Sequence, residues 1–406
     1  MEGLDRTAAS RLVEDRSVRP ILDLLNRDGE EARIVGGAVR NALIGRDASD
    51  IDIATTLAPE AVMRLARDSG LKAAPTGVEH GTVTLVAEGR GHEVTTLRRD
   101  VETDGRRAVV AFTRSFAEDA ARRDFTINQL SVSRDGALHD YAGGLADLAE
   151  RRVRFIGEAE QRIREDYLRI LRFFRFSAEY AEGALDPAGL AACAALAPGM
   201  ARLSRERVWT ELKKLLGAKR AHEALASMID RGIWAAMCGL PPDLAAFAAA
   251  AAIWPEADAM TRLAALLVRR EGDAAALDRE MRLSNAERRR LEEAEQARGR
   301  LLADGPPGAE SMRRAAFRTS ARGALDGLAT LASGLNRAQA RAWAAQTAPV
   351  SPWRGADLLR LGVPAGPAVG TALAEAEAEW ERLGFPDDPT RQHAILEAAA
   401  MKKPPA

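Results

Sequence analysis

The sequence predicts an α+β chain, with mixed strands and helices over residues 31–150, a helix before them over 1–30, and only helices after them. Three observations carry this. Ile34 to Thr56, I-V-G-G-A-V-R-N-A-L-I-G-R-D-A-S-D-I-D-I-A-T-T, reads as a short apolar strand, a double glycine, a turn or two of helix and a second strand. Thr82 to Ala87 and His92 to Leu97 read as two strands joined by the turn E-G-R-G. Strand patterning stops at Arg152, and everything past Glu158 reads as helix.

At 406 residues the chain exceeds one ordinary hydrophobic core, so several domains are expected. Apolar residues at 47% and charged residues at 29% describe a globular protein. The formal net charge of −1 gives no global attraction to nucleic acid, so an RNA-binding surface must be a local basic patch. Lysine is scarce among the 58 basic residues and alanine is abundant, a bias that reflects base composition more than function. Cys193 and Cys238 stand far apart without Cys-x-x-Cys spacing, which argues against a zinc site or a disulfide framework and fits a reducing compartment. No apolar segment follows a basic start, and the longest apolar run, Leu244 to Trp254, is well short of the ~20 residues that span a bilayer. The expectation is a cytoplasmic protein with no membrane contact and no implied protein partner.

Residues up to about Asp28 read as one amphipathic helix covering a sheet edge, with a stripe of Val18, Ile21, Leu22, Leu24 and Leu25 and an end at Gly29. On the strand after the double glycine, alternation puts Asp50 and Asp52 on one face and Ile51 and Ile53 in a core. This is a paired carboxylate edge suited to metal, although an Asp-x-Asp alone is more often a solvated loop. Gly36 and Gly37 let backbone approach a ligand without a Cβ, and the next helix offers N–H groups to an anion, with Arg40 one turn in. Pro59 to Ala66 forms a helix. Arg98 to Arg107 is a polar connection with an Asp-Gly turn, Val109 to Thr113 resumes a strand, and Phe116 to Arg123 is a helix ending in R-R-D-F-T-I-N. Its two arginines either compensate a helix dipole or hold an anion.

G-G-A-V-R followed closely by D-I-D resembles the signature of template-independent nucleotidyltransferases with a polymerase-β-like head, in the class of CCA-adding enzymes and bacterial poly(A) polymerases. The resemblance implies a nucleotidyltransferase head over 31–150, a neck with a nucleotide-selecting helix over 151–217, an RNA-binding helical body over 218–350 and a helical tail over 351–406. It implies Mg²⁺ held by Asp50 and Asp52, with a third catalytic carboxylate from the neighbouring strand, where H-E-V-T-T-L-R places Glu93. A surface ion pair is the competing reading of Glu93. Gly36, Gly37, Arg40 and Arg123 would bind the triphosphate, and the loop near 98–107 would help admit the final adenosine. The implied partners are CTP, ATP and the 3′ end and acceptor arm of tRNA.

The segment R-I-R-E-D-Y-L-R-I-L-R-F-F-R-F, Arg162 to Phe176, matches the E-D-x-x-R motif of that family. Leu168, Leu171, Phe173, Phe174 and Phe176 supply a core face, while Asp166 and Arg169, three apart on a helix, are neighbours. Aspartate accepts hydrogens and arginine donates them. Cytosine and adenine both present an amino donor beside a ring-nitrogen acceptor; uracil and guanine present the inverse. A fixed Asp beside a fixed Arg therefore accepts C and A, and leaves polar groups unpaired against U and G. The family uses two later arginines, which fall at Arg172 and Arg175. On an ideal helix each three-residue step turns back by about 60°, so Arg172 stays on the ligand side and Arg175 points nearly opposite Asp166.

Leu203 to Leu216 reads as a helix with Ser204 as N-cap, and its Arg205, Glu206 and Glu211 match a family motif that steadies the neck. Basic clusters at Arg288 to Arg290 and Arg313 to Arg318 are either solvated faces or RNA contacts. Ala356 to Gly370 resembles the family's tail, with Trp380 on the following helix. Asn41 stands where aspartate is usual and Gln129 where a small residue is usual. The expected activity is addition of CCA to tRNA 3′ ends. Poly(A) addition, or addition of only CC or only A, shares these motifs; a non-catalytic RNA-binding relative would have lost Asp50 or Asp52.

Overall fold

The structure is a computed structural model that describes residues 3–48, 50–103, 108–303 and 305–402. The chain forms two compact units, Met1–Gly239 and Leu240–Ala406. The first contains a seven-stranded mixed sheet built from β1 (Ala32–Val35), β2 (Asp52–Thr55), β3 (Lys72–Gly77), β4 (Thr82–Ala87), β5 (Arg90–Thr96), β8 (Ser131–Ser133) and β9 (Leu138–His139). Their order is β3-β4-β5-β2-β1-β8-β9, and β6 (Arg98–Thr103) pairs separately with β7 (Ala108–Phe112). The residues 98–103 expected as loop are thus strand, and the turn at 104–107 lies outside the described residues.

Strand β2 sits centrally, antiparallel to β1 through Val35↔Asp52 and parallel to β5 through Ile53↔Val94. Central position explains why β1 is apolar at nearly every residue, since all four of its positions are buried. Strand β3 escapes a pattern reading because K-A-A-P-T-G does not alternate and contains proline. It forms at the sheet edge, where an unpaired N–H side tolerates proline, and its register shifts between Ala74 and Gly77.

In place of one N-terminal helix there are two, Arg6–Arg11 and Arg19–Leu25, joined through a 3-10 turn at Leu12–Glu14. Asp15 interrupts them. Its Oδ1 accepts the Ser17 backbone N–H at 2.8 Å and the Ser17 hydroxyl at 2.6 Å, a local arrangement that competes with helical bonding, and Pro20 opens the second helix. The apolar stripe is buried as its spacing requires. It packs on β1, β4 and the Pro59–Asp68 helix, on the face of the sheet rather than its edge.

An aromatic cluster ties the sheet to the helices that follow it. Phe125 packs on Phe155 at 4.9 Å and on Phe176 at 5.2 Å, and Phe155 stacks on Phe173 at 5.5 Å. The second unit is helical among its described residues. Its basic clusters are spent on ion pairs: Arg290 with Asp258 and the fully buried Asp326, Arg288 with Glu292, Arg289 with Glu293, Arg314 with Glu310 and Arg318 with Glu381. Near the C-terminus the expected turn connects the helices Gly355–Arg360 and Pro367–Arg382, and Trp380 packs with Trp353 and Phe385. Both cysteines are buried. Among the described residues, no helix is long and apolar enough to cross a membrane.

Because Phe173 is fully buried within the aromatic cluster, Phe173→Ala should lower unfolding free energy by about 3–5 kcal/mol in a urea titration.

Candidate active site

A cleft of about 800 Å³ opens in the first unit. The strand-β1 turn and β2 contribute Gly36, Gly37, Arg40 and Asp52; R-R-D-F-T-I-N contributes Arg122, Arg123, Asp124 and Asn128; later helices contribute Asp166, Arg169, Arg172, Arg175, Phe176, Arg207 and Lys214. With Arg98, nine lining side chains are cationic against three carboxylates. In a chain with net charge −1, that is a local concentration of positive charge. Every site residue expected from sequence lines the cleft except Asp50 and Glu93.

Asp52 is the first residue of β2, while Asp50 lies in a bend ahead of the strand rather than on it. The parallel register with β5 sets Glu93 beside Asp52. Burial first, then the negative charges of Glu93 and Asp50, push the Asp52 carboxyl above the ordinary range, against the pull of Arg123. Among the described residues no three His, Cys, Asp or Glu side chains are grouped to hold a metal ion. A carboxylate pair fits Mg²⁺ nonetheless, because that ion is commonly held by one or two carboxylates with water and substrate phosphates completing its shell.

The double glycine is shaped around Arg123. Gly36 has φ +70°, and a Cβ there would lie 3.1 Å from Arg123 Nη1. Arg123 donates to Asp119 Oδ2 at 3.1 Å and to the Asn128 carbonyl at 3.1 Å, while Arg122 donates to Asp119 Oδ1. Arg40 takes a different posture from the one expected. It is buried, its guanidinium donating to Asn128 Oδ1 and to Tyr180 Oη at 2.7 Å and lying 4.1 Å from the Tyr180 ring centroid. Asn41 joins this brace by accepting from Arg40 and Tyr180, and Gln129 donates to Asp140 while accepting the Tyr141 N–H. Both departures from the family pattern are therefore absorbed into local hydrogen bonding.

The single helix expected through Asp166 is broken. Ala159–Glu165 ends at Asp166, whose backbone is extended, and Leu168–Tyr180 begins after it. Asp166 Oδ1 accepts the Leu168 N–H at 3.1 Å, a cap on the new helix. Tyr167 is wedged against Gly199, where a Cβ would fall 1.9 Å from the ring, so only glycine fits. Asp166 and Arg169 are close in the chain but are not paired. Asp166 Oδ2 accepts from Arg207 at 2.6 Å, and Arg169 donates to Glu165 at 2.6 Å and to the Arg122 carbonyl at 3.1 Å. The break also removes the reason to turn Arg175 away: with Asp166 off the helix, Arg169, Arg172 and Arg175 share the cleft.

Arg172 forms a two-pronged bond to Asp124, at 2.7 and 2.6 Å, and Arg175 bonds Glu211 at 2.5 Å. Burial raises the Asp124 carboxyl, but Arg172 and the Asn128 amide outweigh it and hold Asp124 below the ordinary range. Arg207, Asp124 and Asn128 were missed in sequence. A signal for Arg207 exists: Arg207, Glu211 and Lys214 fall at i, i+4 and i+7, one charged stripe along the Arg205–Gly217 helix.

This sheet, with its glycine turn and aspartate strand beside a cationic cleft, defines a nucleotidyltransferase head. Residues 32–154 match the family described as poly A polymerase head domain, and residues 184–247 match the probable RNA and SrmB-binding site of polymerase A. The mitochondrial CCA tRNA nucleotidyltransferase 1 of Danio rerio is 37% identical over 380 residues, covering 90% of this chain and 86% of that protein. The CCA-adding enzyme of Geobacillus kaustophilus is 41% identical over 58% of each chain. The crystal structure of the Bacillus stearothermophilus CCA-adding enzyme in complex with CTP superposes with a TM-score of 0.73 at 31% identity, covering 93% of this chain and 96% of that one. The chain belongs to the CCA tRNA nucleotidyltransferase family.

An acid whose folded-state pKa lies above its unfolded value favours folding when protonated and opposes it when ionised. Asp52→Asn should therefore raise Tm at about pH 7, with the gain shrinking as pH falls and vanishing below about pH 3, where Asp52 is protonated in both states. Thermal melts across that range check it.

Proposed function

We propose that this protein adds C, C and A to the 3′ end of tRNA from CTP and ATP, releasing pyrophosphate. The observation that carries the proposal is a cationic cleft in which a glycine turn, an Asp52 edge and the Asp166–Arg169 segment meet, in a chain of this family. Gly36, Gly37 and Arg123 bind the triphosphate, and Arg40 braces the turn from beneath. Asp50 and Asp52 would hold Mg²⁺, with Glu93 adding charge beside them, and the ion would supply Lewis acidity toward the RNA 3′ hydroxyl and the α-phosphate during in-line attack.

Base choice follows from exchange of hydrogen bonds. Asp166 and Arg169 begin satisfied by Arg207 and Glu165. Cytosine or adenine replaces those bonds with equivalent ones. Uracil or guanine displaces them and leaves like groups facing, so the cost of unpaired polar atoms falls on the wrong base.

Incubation of the purified protein with Mg²⁺, CTP, ATP and tRNA lacking its 3′ CCA tests the proposal. Growth by three nucleotides that then stops, requires both triphosphates and is lost in Asp52→Ala supports it. Open-ended growth on ATP alone would identify poly(A) addition, and arrest at CC or dependence on a CC end would identify a partial activity. Arg123→Ala should raise KM for CTP and lower kcat/KM by about 10- to 100-fold, the loss of one charge-assisted phosphate contact.

A further inference from the structure

Behind the Asp-x-Asp edge lies a buried chain of polar groups that the mechanism above does not use. His92, on β5, is 2% exposed. Its Nδ1 is 3.1 Å from the Ile51 carbonyl oxygen, and its Nε2 is 2.8 Å from Ser17 Oγ. A carbonyl oxygen only accepts, so Nδ1 carries the proton directed at Ile51. Ser17, itself 1% exposed, lies between His92 and the Asp15 carboxylate, and Asp15 Oδ2 is held by Arg90 at 3.2 Å. The same Asp15–Ser17 turn that splits the N-terminal helices thus anchors an imidazole beneath the site.

The anchored atom is significant by position. The Ile51 carbonyl belongs to the Ile51–Asp52 peptide, the second of the two units that separate the aspartates, and the β2 ladder starts only at Asp52. Rotation of that peptide would swing Asp50 relative to Asp52. We propose that His92, supported by Ser17 and Asp15, is a positioning residue for nucleotidyl transfer, fixing the Ile51–Asp52 peptide and with it the joint aim of the Asp50 and Asp52 carboxylates at a divalent cation. The inference rests on the function proposed above. It assigns the N-terminal segment a part in the chemistry, through one hydrogen-bonded chain, without any contact to substrate.

Three variants separate positioning from mere filling of space. His92→Phe keeps the ring volume and removes both bonds; His92→Gln keeps a side-chain amide able to donate to Ile51; Ser17→Ala removes the outer support alone. Each is measured for kcat and KM with CTP on tRNA lacking CCA, for Mn²⁺ binding to the nucleotide-free protein by electron paramagnetic resonance, and for Tm. In His92→Phe, kcat and Mn²⁺ affinity should each fall about tenfold or more, the usual cost of removing a group that orients a ligand, with KM for CTP unchanged. His92→Gln should recover most of both losses, and Ser17→Ala should fall between. The proposal is overturned if folded His92→Phe and Ser17→Ala match the parent in kcat and Mn²⁺ binding, or if His92→Gln is no better than His92→Phe. If His92→Phe does not fold, Ser17→Ala decides. A parent protein that extends no tRNA would sink the proposed function, while the Mn²⁺ arm would still decide the positioning role.

Discussion

Asp124 is the constraint on which the rest of the site depends. A buried carboxylate is tolerable only when its charge is matched and its lone pairs are filled. Here Arg172 meets it from the Leu168–Tyr180 helix, and Asn128 and the Phe125 N–H meet it from its own segment. The chain of partners continues in both directions. Asn128 accepts Arg40, which rests on Tyr180, and Arg172 neighbours Glu211, which also binds Arg175. Glycine turn, sheet and nucleotide-facing helix are thereby fixed by one network whose members are costly to remove singly. In the proposed function a nucleotide is held at its phosphates and read at its base together, and this network would set the distance between those two tasks.

Arginine serves two purposes in this protein, and only geometry separates them. In the second unit, Arg290 is half-buried between Asp258 and the fully buried Asp326, and Arg318 is held by Glu381; these pairs leave little field outside. In the cleft, lining cations outnumber lining carboxylates three to one, and Asp119, Glu165 and Glu211 behind them hold Arg122, Arg123, Arg169 and Arg175 in place, leaving a positive excess at the surface. The proton affinities follow this division. Asp124 and Asp119 are held as anions by their arginines despite burial, whereas Asp52, near Glu93 and Asp50, is pushed toward its neutral form. A carboxyl raised by burial and by like charge beside it, inside a cleft, marks a candidate functional position.

The site was legible in sequence where the chemistry is local to a short span. G-G followed by D-I-D needs only strand alternation and the absence of a Cβ, and both residue sets appear where that reasoning puts them, apart from Asp50 standing just ahead of the strand. The E-D-x-x-R segment lines the cleft with Asp166 and Arg169, but in a conformation other than the single helix expected. Helical periodicity runs through Asp166 without interruption, and the break depends on Tyr167 packing against Gly199, a contact remote in sequence. The split N-terminal helix was hidden in the same way, because Asp15 and Ser17 look like ordinary helix-surface residues until His92 is placed behind them. Edge strand β3 and the bracing role of Arg40 depend on neighbours that no window of sequence contains.

The most direct test of this account is the ratio of UTP to CTP incorporation, under single-turnover conditions on tRNA lacking CCA, for the parent and for Asp166→Ala. The account predicts strong preference for CTP in the parent and a collapse of that preference by on the order of a hundredfold or more in the variant, mostly through a slower reaction with CTP. An unchanged ratio, with both nucleotides slowed equally, would contradict base reading by Asp166 and reduce the residue to a cap on its helix.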